Sequence, residues 1–150
     1  MIDLKAFFNG RDKAFRHELS GEIRRNAAET VAKANELLAR AGFGHIRTVN
    51  SGWRPPVINA SVANASPTSH HLTGRAVDLP DPDRTLAAWC VTNLDVLAEI
   101  GLWLEDPRWT FDPGGDHWVH LQTAPPRSGM RVFIPSDTPA KDPDFPVTWV

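Results

Sequence analysis

Apolar side chains recur at Ile23, Ala27, Val31, Ala34, Leu37, Leu38 and Ala41, the spacing of one face of a helix, and predict an α-helix over Gly21–Ala41. Ser20 offers a side-chain oxygen as N-cap and Gly42 a stop. The outer face of this stretch is charged, as expected of a scaffold helix, and His17 in the polar segment before it reads as a surface residue. A second apolar stripe, Leu86, Trp89, Cys90, Leu94, Leu97 and Ile100, predicts another helix, started by Asp83 as N-cap and ended by Gly101.

Residues 46–50 are rich in β-branched side chains, and Ser51-Gly52 punctuates them, so a strand is expected to run into a loop there. The loop continues to about Thr68, because Pro55-Pro56 and Ser66-Pro67 oppose regular structure except for one helical turn over residues 59–64. A long irregular segment in a compact domain is more often functional than idle. Further strands are expected over residues 76–79, closed by Pro80-Asp81-Pro82, over Trp118–Gln122 and over residues 131–134. Together these elements imply the α+β class: a mostly antiparallel sheet of about four strands packed with two main helices. Residues 137–150, rich in Pro and Asp, are expected to form an irregular tail that wraps the surface.

The 150 residues suit one domain. Sixteen Lys and Arg against eighteen Asp and Glu leave a formal charge of −2, which argues against a nucleic-acid partner. Cys90 is the only cysteine, so an internal disulfide and a multi-cysteine metal site are both excluded. It falls on the second apolar stripe with no cation beside it in sequence, and so reads as a buried structural thiol. The first ten residues, MIDLKAFFNG, lack the pattern of a secretory signal, so synthesis in the cytosol without a signal peptide is expected. No apolar run approaches the roughly 20 residues needed to span a bilayer, and no membrane partner is expected.

Histidines crowd near carboxylates in two places: His70 and His71 ahead of Asp78, and His117 and His120 behind Asp116. Two His and one carboxylate, with a fourth position open to water, form the ligand set of a catalytic zinc site. Between the first pair and Asp78, Gly74 permits a tight turn, and Ala76 shares a strand face with Asp78, leaving space beside it.

The ordered motifs Ser51-Gly52-Trp53-Arg54-Pro55, Ser69-x-His71-x-x-Gly74-x-Ala76-x-Asp78 and Trp118-Val119-His120-Leu121 resemble the M15 metallopeptidases. That family includes D-alanyl-D-alanine carboxypeptidases, dipeptidases of vancomycin resistance and phage endolysins. The segment from Pro125 to Pro135 is also similar to M15-like proteins of bacteriophages. The resemblance implies a Hedgehog/DD-peptidase-like fold, zinc held by His71, Asp78 and His120, and hydrolysis of peptide bonds in peptidoglycan. It places Arg54 opposite the substrate, where a fixed cation stabilises a developing oxyanion. His70 is the rival of His71, and the Ser-x-His register favours His71. Trp53 and Trp118 are pocket walls or, by default, core residues.

For the general base the resemblance points three positions before the last zinc histidine, where this chain has His117, with Asp116 one further back. His117 has the wrong strand parity to reach the metal without a bulge, and Asp116 lies about 13 Å from His120 along an extended strand. Glu105, expected in the loop after the second helix, is a third candidate. The implied protein is a monomer acting on cell-wall peptides, in host lysis or as part of a virion. Two other classes compete: a non-catalytic wall-binding module that keeps the fold, and a non-haem iron oxygenase, whose facial triad uses the same ligand types.

Overall fold

A computed structural model of the chain describes residues 1–135 and 139–146. The helix over Gly21–Ala41 (α3) forms with the expected ends: the Ser20 side chain accepts from the Ile23 N–H, and Gly42 closes it in the left-handed region. Two short helices precede it, α1 (Leu4–Phe8) and α2 (Arg11–Ala14), which the hydrophobic pattern leaves unannounced. The helical turn in the proline-rich loop is α4 (Pro56–Ser61), earlier than expected because Pro56 starts it at a position where the missing N–H is not needed.

The second long helix is two. Thr85–Thr92 (α5) and Leu94–Ile100 (α6) are separated at Asn93, whose side chain donates to the Trp89 carbonyl, while the Thr92 hydroxyl bonds back to Ala88 and Trp89. These side chains replace the next helical hydrogen bonds. The expected N-cap also moves. The Asp83 side chain bonds Thr85, whereas buried Asp81 accepts from the N–H groups of both Leu86 and Ala87, at 2.9 and 2.8 Å.

The strands are β1 (Ala76–Pro80), β2 (Trp103–Glu105), β3 (Trp118–Gln122) and β4 (Val132–Phe133). They form one sheet in the order β1-β3-β2-β4, antiparallel except for the parallel pair β2 and β4, which confirms the α+β class. The strand expected over residues 46–50 reduces to one bridge, in which Asn50 N–H donates to the Asp78 carbonyl and Asp78 N–H to that of Ser51. β2, absent from the sequence reading, takes Glu105 out of its expected loop.

Alternation along the strands sorts the side chains onto two faces. Val77, Leu79, Leu104, Val119 and Leu121 are buried in the core with Ala34, Leu37 and Leu38 of α3. The other face carries Asp78, His120, Gln122 and Glu105. Cys90 lies in the core, where burial pushes its thiol up, as expected of a structural cysteine. Of the expected tail, 137, 138 and 147–150 lie outside the described residues. Within 139–146, the Lys141 and Asp142 N–H groups donate to the Arg108 carbonyl and Phe145 is buried. No helix among the described residues is long and apolar enough to cross a membrane.

Candidate metal centre

Strand register builds the centre. β1 and β3 pair Asp78 with His120, and β2 pairs Trp103 with Gln122 and Leu104 with Leu121, so one step further along the same register Glu105 comes beside His120. Asp78, His120 and Glu105 therefore form a row across three strands on the face away from the core. His71 reaches the row from a 3-10 turn, His70–Thr73, that opens on Ser69 and closes on left-handed Gly74. The loop holding Trp53 and Arg54 covers it. Gly52 is required there, since a Cβ at that position would lie 2.2 Å from the Phe7 carbonyl oxygen.

Among the described residues, His71, Asp78 and His120 present ligand atoms that all lie within 4.8 Å of one another. His71 Nε2 is 3.2 Å from Asp78 Oδ2, and His120 Nδ1 is 2.8 Å from Asp78 Oδ1. Bonds of about 2.0–2.2 Å to a tetrahedral ion place its ligands roughly 3.3 Å apart, so this spacing suits a shared cation.

Hydrogen bonding fixes which nitrogens face inward. His71 Nδ1 lies 2.7 Å from the Gly52 carbonyl, which can only accept, so Nδ1 carries the proton. Burial pushes the His71 pKa down, so the ring is neutral and its Nε2 holds a bare lone pair. Among the described residues that atom is buried without a hydrogen-bond partner, 3.2 Å from a carboxylate oxygen of Asp78. Two electron-rich atoms in contact repel unless a cation lies between them, and this is the observation by which the residues fit a metal.

His120 is fixed from its far side. Gln122 donates its amide N–H to the Ala124 carbonyl at 2.8 Å, which turns Oε1 toward His120 Nε2 at 3.0 Å. Nε2 therefore carries a proton, and Nδ1 is the atom available to a metal. Burial alone would lower the His120 pKa, but the bond to Asp78 and the charges of Glu105 and Asp78 push it up to about 9, so without metal a proton occupies Nδ1. Burial alone would raise that of Asp78, yet the two imidazoles outweigh it and hold the carboxyl well below the usual carboxylate range.

Arg54 is buried and pinned: Nε donates to Ser51 Oγ at 2.9 Å, Nη1 to Asn59 Oδ1 at 3.2 Å and Nη2 to Asp78 Oδ2 at 3.4 Å. It joins the trio through Asp78, which the Ser-Gly-Trp-Arg-Pro motif alone does not reveal. Glu105 is partly buried and within electrostatic reach of His120, Asp78 and Arg54, and burial pushes its pKa up. Its carboxylate forms no hydrogen bond among the described residues.

The other candidates sit elsewhere. Asp116 is exposed in the turn before β3, and its described hydrogen bond is a backbone one to Asp112. His117 stacks on Phe111 at 4.7 Å, and its Nδ1 lies 3.1 Å from Arg84 Nη1. Since a guanidinium only donates, His117 Nδ1 accepts, and the ring belongs to a structural knot. In that knot Arg84 also bonds Asp142 and the Pro107 carbonyl and covers Phe145. His70 is half-buried and outside the trio. Trp53 is a core residue, its indole N–H donating to the Leu72 carbonyl.

Comparison of the chain with protein-family models, with curated proteins and with solved structures finds no match.

Proposed function

We propose that the chain is a zinc-dependent peptidase that hydrolyses peptide bonds in the stem peptides of bacterial peptidoglycan, as the M15 enzymes resembled by its motifs do. The observation that carries the reading is His71 Nε2, without a hydrogen-bond partner among the described residues, held in one tautomer and aimed at Asp78. Two imidazoles and a carboxylate suit zinc, and three protein ligands leave a position for water. When bound there, zinc supplies Lewis acidity and lowers the pKa of a water ligand to about 7.

The chain's own groups account for the rest of a hydrolysis. Glu105, beside His120 and without a side-chain hydrogen bond among the described residues, takes the proton of the attacking water and returns it to the departing amine as the C–N bond breaks. Its pKa, raised by burial, moves toward the range in which a carboxylate both accepts and gives up a proton near neutrality. Arg54, pinned by three partners, offers its remaining N–H groups to the carbonyl oxygen as charge develops there. Glu105 takes the role for which the sequence also offered Asp116 and His117. The setting that fits is a phage-encoded enzyme acting on the cell wall, as a D,D-carboxypeptidase or an endopeptidase.

Incubation of the zinc-loaded protein with purified peptidoglycan fragments, followed by mass spectrometry, tests the reading. Cleaved stem peptides are expected from wild type, with loss of both zinc and cleavage in His71→Ala, Asp78→Ala and His120→Ala, while Arg54→Ala keeps zinc and loses mainly turnover. Intact fragments would instead identify a wall-binding module, and stoichiometric iron with oxygen consumption an oxygenase.

A further inference from the structure

The side chain that α4 buries is a polar one, Asn59, and its amide is committed at both ends. Nδ2 donates to the Ser66 carbonyl at 2.9 Å, and Oδ1 accepts from Arg54 Nη1 at 3.2 Å. A carbonyl only accepts and a guanidinium only donates, so the two ends of the amide cannot be exchanged. Residues 61–68 are exposed apart from partly buried Ala65 and Ser69 beyond them, and the Asn59 amide holds this loop from inside. The Ser66 carbonyl also accepts from the Ser69 N–H at 3.1 Å, and the Ser69 hydroxyl accepts from the His71 N–H at 3.2 Å. One buried amide therefore connects Arg54, the loop and the turn that carries His71.

Buried guanidinium groups are commonly held by carboxylates. Arg54 has Asp78 at 3.4 Å, but its other described side-chain partners, Ser51 Oγ and Asn59 Oδ1, are neutral. Neutral acceptors fix the direction of the N–H groups and leave positive charge for an oxyanion. Partners on Nε, Nη1 and Nη2 together stop the planar group from turning, and Asn59 supplies the one on Nη1. We propose that Asn59 is the positioning residue of Arg54, which aims the guanidinium without neutralising it and ties that aim to the 61–68 loop. The inference rests on the peptidase reading, in which Arg54 meets the carbonyl oxygen of the scissile bond.

Nitrogen-15 NMR of the zinc-loaded protein reads the aim without any substrate, with Arg54→Lys identifying the Arg54 signals. In wild type the two Nη groups are expected as separate signals, because the bonds on each hinder rotation. In Asn59→Leu, which keeps the branched shape without either bond, they are expected to merge, and signals that stay separate overturn the inference. On a stem peptide, Asn59→Leu is expected to lose about tenfold or more in kcat, with KM within about twofold and zinc content unchanged. In an Arg54→Lys background the same substitution costs less than about twofold, since it acts through the guanidinium. An equal loss in both backgrounds makes the role purely structural and overturns the inference. Should Asn59→Leu fail to fold, Asn59→Asp decides: it keeps the shape and an acceptor but adds a second acid and repels the Ser66 carbonyl. Reduced kcat with zinc retained is expected there, and wild-type kcat overturns the inference. Failure of the wild type to cleave defeats the peptidase reading, while the NMR signals still decide whether Asn59 fixes Arg54.

Discussion

Replacing Gln122 with Leu probes the arrangement that holds His120 in position. Gln122 is buried at 3% exposure, two residues after His120 on the same strand face, and its amide bridges His120 Nε2 and the Ala124 carbonyl. Leucine fills a similar volume without either bond. Leaving the Ala124 carbonyl and the imidazole N–H without partners costs the fold about 1–3 kcal/mol. The effect on metal is more specific. Without an acceptor at Nε2, the neutral ring formed as metal displaces one proton can keep the remaining one on Nδ1 against Asp78, where it blocks the ligand atom. Loss of such an outer partner weakens metal binding by about 10–100-fold, or roughly 1.4–2.7 kcal/mol. Zinc titration of the metal-free protein against a chromophoric chelator at fixed pH reads this directly. Gln122→Glu keeps an acceptor at Nε2 and is expected to bind zinc at least as tightly as wild type. If Gln122→Leu binds zinc within about twofold of wild type, the tautomer argument is refuted.

Further outcomes follow from the same geometry. In the metal-free protein the His120 pKa is raised to about 9, so its proton stabilises the fold fully below pH ~6.5 and that contribution is lost as pH climbs through about 9. Thermal melting of metal-free protein should therefore fall between about pH 7 and pH 9.5, with zinc flattening the decline by displacing that proton; a rise over the interval contradicts the assignment. Glu105→Gln should keep zinc and lose on the order of a hundredfold or more in kcat, whereas Asp116→Asn should stay within about threefold. Steady-state kinetics on a stem peptide decides between them, and the opposite pattern moves the base to the turn before β3. Gly52→Ala drives a Cβ into the Phe7 carbonyl, 2.2 Å away. It should destabilise the fold by about 1–3 kcal/mol in urea denaturation and weaken zinc binding, because the Gly52 carbonyl orients His71.

Much of this was legible in the chain, where local pattern decides. α3 was readable with both ends because its apolar face and caps are contiguous signals. The trio was picked out by motif resemblance and not by spacing, and it comes together because Ser69 to Asp78 folds into a turn and a strand that pairs with Trp118–Gln122. The strand expected over residues 46–50 failed because β-branched composition does not supply a partner, and only the bridge at Ser51 finds one. One long helix became two because Thr92 and Asn93 take over helix carbonyls, a competition that an apolar stripe does not report. The larger miss was β2, whose three residues are too short for alternation to register. Its absence left Glu105 in a loop, although pairing with β3 carries it to His120. Gln122 was overlooked as well, yet the two-residue period from His120 would have put it on the same face.

In the proposed enzyme His71, Asp78 and His120 share one divalent ion. Anomalous diffraction at the zinc edge from crystals grown with one equivalent of zinc tests it most directly. A single strong peak is expected about 2.0–2.2 Å from His71 Nε2, His120 Nδ1 and an oxygen of Asp78. A peak elsewhere, ligation through His71 Nδ1 or His120 Nε2, or a protein that stays metal-free under those conditions would contradict it.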